Sequence, residues 1–166
     1  MDLKYSRTIP VRQHVDIFIA GGGPAGVAAA VTAARAGAKV FLVESLGAFG
    51  GMGTSAGIPF ICRPTDGIHF LAAGIGEEVY DRVFRNGGAG PEMVRGKHPA
   101  EIGGFIYDPE SLKRVYDTMM SESGADFTFN TALIDVQVEN GRINHAVCAA
   151  KSGIFAVAAS IFIDAT

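Results

Sequence analysis

A glycine-rich turn between an apolar run and an alanine-rich stretch constrains the fold of this chain most strongly. The turn reads Gly21-Gly22-Gly23-Pro24-Ala25-Gly26 and follows the mainly apolar residues 15–20. This pattern predicts a buried parallel strand, a tight turn and the first helix of a βαβ unit. Pro24 suits the first turn of that helix, where a missing N–H group costs nothing, and Gly37 is the expected end of the helix.

Three glycines of the turn have separate expected roles in holding a dinucleotide. Gly21 permits the tight turn, Gly23 lets the backbone approach a pyrophosphate, and Gly26 lets the helix lie close to the strand. The free N–H groups and the positive dipole end of the helix, around Pro24 and Ala25, would face the phosphates. The turn therefore predicts a dinucleotide site.

An acidic residue follows the second predicted strand. The apolar run Val40-Phe41-Leu42-Val43 leads directly into Glu44. A carboxylate at this position of a βαβ unit accepts hydrogen bonds from the adenosine ribose. Because it would repel a 2′-phosphate, Glu44 disfavours NADP and leaves NAD and FAD as ligands.

A second glycine-rich segment follows Glu44. Five of the 22 glycines in this chain of 166 residues fall within residues 47–57, which is too many for a stable helix. Backbone amides in such a loop can form a nest for negative charge, and missing side chains let a flat ring come close. Gly50 and Gly51 are the expected points of contact, with a flexible surface loop as the alternative.

Two further helices are predicted from apolar residues at helical spacing. The first starts at about Ala72. The second has Asp108 as its N-cap and Pro109 in its first turn, and it ends at Gly124.

The spacing changes to that of strands after residue 126. Asn140-Gly141 is a strong hairpin signal between strands that start near Thr131 and Arg142. Residues 154–158 and 159–163 follow as further strands, the second of them apolar enough for a buried parallel strand. The predicted fold class is α/β: a Rossmann-like dinucleotide-binding domain with a parallel central sheet, helices on both sides and a small antiparallel β-meander.

The predicted organisation is a single nucleotide-binding domain. Residues 1–14 form a polar N-terminal extension, residues 15–166 form the domain, and a glycine-rich loop with a helical insert spans about residues 47–107. No separate substrate domain is expected within this sequence.

Charge and cysteine content exclude several classes of function. The net charge is −3 and lysines and arginines are not clustered, which argues against a nucleic-acid surface. No apolar run reaches the roughly 18 residues of a membrane span, and the N-terminus lacks the apolar stretch of a secretory signal. Cys62 and Cys148 have no metal or redox spacing. We expect no metal site and a cytoplasmic protein with free thiols.

Four segments together resemble the FAD-dependent oxidoreductases whose nucleotide domain follows the glutathione-reductase plan. They are residues 21–44, the Gly50-Gly51 loop, the meander over residues 131–147, and the ending Ile161-Phe162-Ile163-Asp164-Ala165-Thr166. The resemblance implies FAD rather than NAD, and redox chemistry on a small-molecule substrate through the flavin. In such proteins the last strand runs into Ala-Thr-Gly-Asp, so we expect an N-terminal or truncated portion of an enzyme.

The resemblance also implies which residues bind the cofactor. The glycines of the turn would contact the pyrophosphate, and Glu44 the adenosine ribose. Ser45 would lie near the adenine, and the second glycine-rich segment near the pyrophosphate and flavin. One strand of the meander would bind the adenine through its backbone. The full set of expected cofactor-binding residues is Gly21, Gly23, Pro24, Ala25, Gly26, Glu44, Ser45, Gly50, Gly51, Met52, Gly53, Leu133 and Ile134.

No catalytic residue is assigned from the sequence. Cys62 and His69 could face the flavin, but a half-buried loop thiol and a packed histidine are the expected structures. Two alternatives stay open: an NAD-binding protein of the same plan, similar to thiazole synthases, and a non-catalytic truncated module that needs a partner. An exposed apolar face would favour self-association into a homo-oligomer.

Overall fold

The computed structural model describes residues 3–4, 6–62, 64–69, 71–88 and 104–166. Within these ranges the chain forms three α-helices, eight strands and a short 3₁₀ turn over Gly51–Gly53. In chain order the elements are β1 (Val11–Ala20), α1 (Pro24–Arg35), β2 (Val40–Val43), β3 (Phe60–Ile61), α2 (Ile75–Arg85), β4 (Phe105–Ile106), α3 (Pro109–Ser123), β5 (Asp126–Thr128), β6 (Thr131–Glu139), β7 (Arg142–Ala150) and β8 (Gly153–Asp164).

Six strands form one sheet in the order β5-β2-β1-β8-β7-β6. Strands β5, β2, β1 and β8 run parallel, and β7 and β6 continue the sheet antiparallel. This arrangement confirms the predicted α/β class with its parallel centre and antiparallel meander. The short strands β3 and β4 pair separately. Residues 154–158 and 159–163 were expected as two strands, but they form the single strand β8.

The two faces of the sheet pack against different partners. Ile19 and Leu42 belong to a core cluster that includes side chains of all three helices. Phe18 and Phe41 point to the opposite face, where they join a cluster with Cys148 and other side chains of β7 and β8. The expectation of helices on both sides is therefore wrong for the described residues, because strands of the meander cover the second face.

Curling of the sheet brings the meander over this face. Strand β6 is the last strand in the sheet order, yet the Thr131 N–H group donates a hydrogen bond of 2.9 Å to the Glu44 carbonyl, just after β2. The start of β6 and the end of β2 therefore lie side by side, although three strands stand between β2 and β6 in the sheet order. The side chain of Phe18, which has an exposed fraction of 1%, lies in the resulting core.

The predicted helix ends agree with the structure. Gly37 follows α1 with a φ of +91°, and Gly124 follows α3 with a φ of +78°; glycine adopts this left-handed conformation readily. The Asp108 carboxylate accepts hydrogen bonds from the N–H groups of Glu110 and Ser111 at 3.2 and 2.9 Å. It is the N-cap of α3, as expected. Helix α2 begins at Ile75, slightly later than predicted.

Strand β1 begins earlier than the sequence indicates. Residues 11–14 were assigned to the N-terminal extension, but they pair with the first half of β8, beginning at Val11 opposite Ala156. Three of the four residues here are polar, so the sequence shows no apolar run or alternation that would predict a strand. One of them, Arg12, lies with its guanidinium 4.8 Å from the centre of the Phe155 ring and so covers apolar surface.

The glycine-rich segment of the insert is anchored on the core. Phe49 is fully buried, and its ring centre lies 4.9 and 4.6 Å from those of Phe127 and Phe129, so the glycine-rich segment packs on the core.

Insert positions 63, 70 and 89–103 lie outside the described residues. None of the helices in the described part of the chain is both long and apolar enough to cross a membrane.

Ion pairs connect the three helices. Glu78 of α2 accepts two hydrogen bonds from Arg35 of α1, at 2.6 and 2.8 Å. It also pairs with Arg82, which in turn reaches Glu122 of α3 at 2.6 Å. Hydrogen bonding to Arg35 is the main cause that lowers the pKa of Glu78 to about 2. The ionised carboxylate therefore helps to hold the helix layer together.

Candidate dinucleotide-binding site

A cleft of about 520 Å³ opens at the carboxyl ends of the parallel strands. Strand β1 has β2 on one side and β8 on the other. The chain therefore adds strands first on one side of β1 and later on the other, which makes β1 a topological switch point. Open α/β sheets bind their ligands at such a switch point. The residues that line the cleft are Ala20, Gly21, Gly23, Pro24, Val43, Glu44, Ser45, Gly51, Met52, Thr131, Ala132, Leu133, Ala165 and Thr166.

Two glycines of the turn are required by the backbone of the protein itself. Gly21 has a φ of +98°, and a Cβ atom there would collide with the carbonyl oxygen of Ala165. A Cβ atom on Gly26 would collide with the carbonyl oxygen of Gly21. These residues let α1 and β8 approach the turn. Gly26 is buried and does not line the cleft.

Gly23 differs from both. Its φ of −68° and ψ of −177° describe an extended conformation that any residue adopts, and a Cβ atom there would have no neighbour within 4 Å. Neither strain nor packing among the described residues explains this glycine. The space that a side chain would fill belongs to the cleft, directly before the N–H groups at the start of α1. This cradle suits a phosphate group.

Gly22 is a residue that sequence reasoning missed. It is buried, and a Cβ atom there would lie 2.8 Å from Cδ1 of Phe49 and 3.0 Å from Oε2 of Glu44. Its N–H group donates a hydrogen bond of 2.6 Å to that same oxygen. Three consecutive glycines were the available signal, because the spaced motif needs only two of them.

Glu44 is fixed in the wall of the cleft. Its exposed fraction is 5%. Besides the bond from Gly22, its other oxygen accepts hydrogen bonds from the Leu46 N–H group at 2.7 Å and the Ser45 hydroxyl at 3.1 Å. Glu44 is the single charged side chain among the described residues that line the cleft. A diphosphate there would therefore be held by backbone N–H groups rather than by cations.

The second glycine-rich segment lies directly against the turn. The Gly50 N–H group donates a hydrogen bond of 2.9 Å to the Gly22 carbonyl. A Cβ atom on Gly51 would lie 3.4 Å from the Cα atom of Gly23. Gly51 and Met52 line the cleft, whereas Gly50 does not. A Cβ atom on Gly50 would collide with the Thr54 side chain, so packing requires a glycine there.

Tyr107 holds the far end of this segment. Its hydroxyl donates a hydrogen bond of 2.9 Å to the Gly53 carbonyl, and the oxygen occupies the space where a Cβ atom of Gly53 would be. Burial raises the pKa of Tyr107, so the hydroxyl stays protonated and remains a donor. Gly53 is thus a packing position, and it does not line the cleft.

The meander supplies the remaining wall. Thr131, Ala132 and Leu133 line the cleft from the start of β6. The pairing of β6 with β7 shifts between Leu133 and Asp135. Ile134 sits at this irregularity with an exposed fraction of 52%, and it does not line the cleft.

The structure thus brings together eight of the thirteen expected residues. They are Gly21, Gly23, Pro24, Glu44, Ser45, Gly51, Met52 and Leu133. The five that lie outside the lining are Ala25, Gly26, Gly50, Gly53 and Ile134. Sequence reasoning missed Thr131 and Ala132 as site residues, and it quoted Ala165 and Thr166 only as part of a family motif. Asp164 holds Thr166 by accepting hydrogen bonds from its N–H group at 3.1 Å and its hydroxyl at 2.8 Å.

Neither Cys62 nor His69 lines the cleft. Cys62 is exposed rather than half-buried. The expectation of a packed histidine is wrong, because the side chain of His69 is 73% exposed and its Nδ1 lies 3.3 Å from Oδ2 of Asp66. An aspartate three residues earlier, which can cap the turn, favours this surface position. Within the described ranges, no group of three or more His, Cys, Asp or Glu side chains is placed to hold a metal ion.

Residues 16–166 match the sequence model of the FAD dependent oxidoreductase family. The chain belongs to this family. The cofactor of the family is FAD, which confirms the choice of FAD over NAD and agrees with the phosphate cradle at Gly23.

Individual relatives agree with this assignment. The chain is 31% identical over 143 residues to digeranylgeranylglycerophospholipid reductase of Methanoculleus marisnigri, a match that covers 82% of this chain and 34% of the relative. It therefore spans about a third of that curated protein.

Solved structures share the fold. A geranylgeranyl bacteriochlorophyll reductase-like protein of Thermoplasma acidophilum superposes with a TM-score of 0.65 at 20% identity, over 92% of this chain and 39% of the other. The myxobacterial chondrochloren halogenase, an FAD-dependent halogenase, gives 0.60 at 21% identity, over 93% and 37%. At these identities the structures show the fold alone.

Proposed function

We propose that this chain is the FAD-binding part of an oxidoreductase that oxidises or reduces a small molecule through the flavin. The observation that carries the proposal is Gly23, whose missing side chain leaves open the place where a pyrophosphate would meet the start of α1. When bound, FAD supplies the electron chemistry, and the protein supplies position and electrostatics. Further substrate contacts would come from sequence outside this chain, which spans about a third of its curated relative.

Each wall of the cleft has a role in this proposal. The glycine turn and the N–H groups of the first turn of α1, including that of Ala25, bind the pyrophosphate. The backbone at Leu133 binds the adenine, and Gly51 and Met52 contact the cofactor between its phosphates and its flavin. Ser45 lies beside the adenosine.

Glu44 has room for a ribose hydroxyl. An ionised carboxylate offers about four lone-pair sites, and Glu44 uses three of them for Gly22, Ser45 and Leu46. One acceptor site is left on this residue, which lines the cleft. The same carboxylate would therefore hold the turn and bind the adenosine ribose.

The proposal extends to the setting of the protein. Cys62 and Cys148 are both free thiols, which is typical of a reducing compartment, and we infer a cytoplasmic location. Strand β6 also exposes Ile134, Val136 and Val138, an apolar surface that would suit a second copy or the remainder of the protein.

The first test is the absorbance spectrum of the purified chain, with mass spectrometry of any small molecule that heat or acid releases. We expect flavin absorbance and a released FAD mass, or saturable binding when FAD is added. A chain that binds NAD in preference to FAD, or binds neither, would contradict the proposal.

A pair of leucine variants tests the site itself. Gly23→Leu places a side chain in the cradle, and we expect FAD to bind at least about 100-fold more weakly because the phosphates lose backbone contacts. Thr32→Leu is the matched control, since Thr32 is exposed on the same helix. Equal affinity of the two variants would remove the role of Gly23.

A further inference from the structure

A second cavity of about 330 Å³ lies beside the dinucleotide cleft. It is lined by the three helices, by Tyr107, and by Ile58, Phe60, Ile61 and Pro64 of the loop before α2. Pro24 and Met52 line both spaces, so the cavity begins where the pyrophosphate end of the cleft stops. Met52 has an exposed fraction of 62%, and a methionine side chain adapts readily to different neighbours.

The wall of this cavity is apolar. Ala28, Ile75 and Leu112 contribute from the three helices, and Ile58 and Phe60 from the loop. No described lining residue carries a charge. This contrasts with the cleft, where Glu44 and backbone N–H groups face the ligand. A charged ligand would lose its hydration in the cavity without gaining a partner, which is costly.

Three tyrosines contribute to the wall. Tyr80, Tyr107 and Tyr116 all line the cavity. The Tyr107 hydroxyl is occupied by the Gly53 carbonyl. Burial raises the pKa of Tyr116 to about 12, so this side chain is neutral at physiological pH. The cavity is therefore lined by neutral aromatic side chains, which suit an uncharged molecule.

Small residues keep the space open. Ala28 on α1, Gly76 at the start of α2 and Ala72 just before it line the cavity from two sides. A Cβ atom on Gly76 would lie 3.4 Å from the Ala72 Cβ atom, an ordinary contact. Packing therefore permits a larger side chain at Gly76, and such a side chain would occupy part of the cavity.

We propose that this cavity binds an uncharged, largely apolar small molecule, and that it receives the apolar part of the substrate. The volume falls within the range of about 300–1,000 Å³ that small-molecule sites occupy. The charge-free wall selects the chemical class, and the shared residues Pro24 and Met52 place the ligand next to the dinucleotide. The substrate assignment rests on the proposed function, whereas binding of an apolar molecule does not.

An uncharged fluorescent probe, N-phenyl-1-naphthylamine, tests the binding directly. Saturating ADP is added first, so that the adenosine and phosphate part of the cleft is filled. We expect saturable fluorescence enhancement that ADP does not abolish. The sulfonated analogue 1-anilinonaphthalene-8-sulfonate should bind at least about tenfold more weakly, since its charge would be buried without a partner. Equal binding of both probes would overturn the selection for uncharged ligands.

Two filling variants locate the probe. Ala28→Leu and Gly76→Leu should each weaken probe binding by about tenfold or more, because they take up cavity volume. Thr32→Leu, on the exposed side of α1, should leave it unchanged. Two positions on different helices guard against the failure of one variant to fold, which near-UV circular dichroism reports. Unchanged probe affinity in both folded variants would overturn the proposal.

FAD titration of the same proteins separates this proposal from the preceding one. Variants that retain FAD affinity and lose the probe support the cavity assignment. Wild-type protein that binds FAD but no probe contradicts the cavity proposal alone. Probe binding without FAD binding leaves the apolar site standing and removes the flavin function. Probe affinity that falls as the protein associates would instead assign the cavity to a second copy of the chain, and would also overturn the proposal.

Discussion

The dinucleotide cleft and the apolar cavity are neighbours that are built from different parts of the polypeptide. The cleft consists mainly of backbone: glycines without side chains, N–H groups at the start of α1 and the ends of β1, β2 and β8. The cavity is lined by side chains from the three helices and from the loop that contains Ile58 and Phe60. A backbone site follows from the fold and is retained as side chains change, whereas a side-chain site can be altered one residue at a time. On the proposals made above, the cofactor site would depend on the fold, and ligand selectivity would depend on the side chains that line the cavity.

Gly21 and Gly23 provide the strongest test of this contrast. We expect Gly21→Ala to lower the free energy of unfolding by about 3–5 kcal/mol, since it combines a left-handed backbone with a collision against Ala165. Gly23→Ala should cost no more than about 1 kcal/mol, because its Cβ atom meets open space. Chemical denaturation of both variants measures the difference. Equal destabilisation would mean that the two glycines do not have separate roles.

Glu44 tests whether one side chain serves both the turn and the ligand. Glu44→Ala removes the acceptor for the buried Gly22 N–H group and for Leu46, so we expect a loss of about 2–4 kcal/mol in the free energy of unfolding. FAD affinity should also fall by at least about tenfold, equivalent to one hydrogen bond to a charged group. Calorimetric titration at a temperature where the variant is folded measures this. Unchanged affinity would restrict Glu44 to a structural role.

Glu78 tests the helix layer that encloses the cavity. Because Arg35 and Arg82 hold its pKa at about 2, below the unfolded value near 4.5, its contribution is present above pH 4.5 and is lost as the pH falls toward 2. We expect Glu78→Gln to cost about 1–2 kcal/mol at pH 7, after allowance for solvent screening.

Denaturation at several pH values measures the effect of Glu78→Gln. The difference from wild type should shrink between pH 4.5 and 2. Glu77→Gln, at an exposed neighbouring position of the same helix, should show little difference at any pH. If the difference in free energy of unfolding between wild type and Glu78→Gln stayed constant down to pH 2, the ion pairs would not have the role assigned to them.

Tyr107 has the smallest expected effect, and it lies between the two regions. Tyr107→Phe removes one hydrogen bond to the Gly53 carbonyl and should lower the free energy of unfolding by about 1 kcal/mol. FAD affinity should fall only slightly, because Gly51 and Met52 keep their other contacts. Thermal denaturation and FAD titration check both values, with Tyr116→Phe as a second tyrosine of the cavity wall. A loss of FAD affinity larger than the loss of stability would make Tyr107 part of the cofactor site.

Local signals in the sequence predicted most of the cofactor end of the fold. The turn at Gly21, the acid at Glu44 and the caps at Asp108 and Gly124 all depend on neighbours within a few residues, so a pattern can reveal them. Gly22 and Thr131 depend instead on contacts through space, with Glu44 in both cases. The run of three glycines is the one local signal for Gly22, and no local pattern marks Thr131.

The same distinction explains the errors in the fold. The early start of β1 at Val11 depends on pairing with β8, and its polar side chains give no alternating pattern. The three described helices pack on one face of the sheet, while side chains of β7 and β8 cover the other, and neither placement is visible in the spacing of residues within one helix. The cavity was not anticipated either, because its wall combines residues from Pro24 to Tyr116, and spacing within single helices reports only that a face is apolar.

The pairing of β1 with β8 also has a consequence for how the molecule folds. These strands lie side by side from Val11 to Ala20, although the paired positions, such as Val11 with Ala156 and Ala20 with Asp164, are 144 or 145 residues apart in the chain. Contacts between such distant segments require closure of a long loop, which slows folding. Ala165 and Thr166, which follow β8, line the cleft beside Gly21, so the wall of the cleft is complete only when β8 lies beside β1. FAD would therefore bind late in folding. Because it would bind the native state and not the unfolded state, it would shift the folding equilibrium toward the native state.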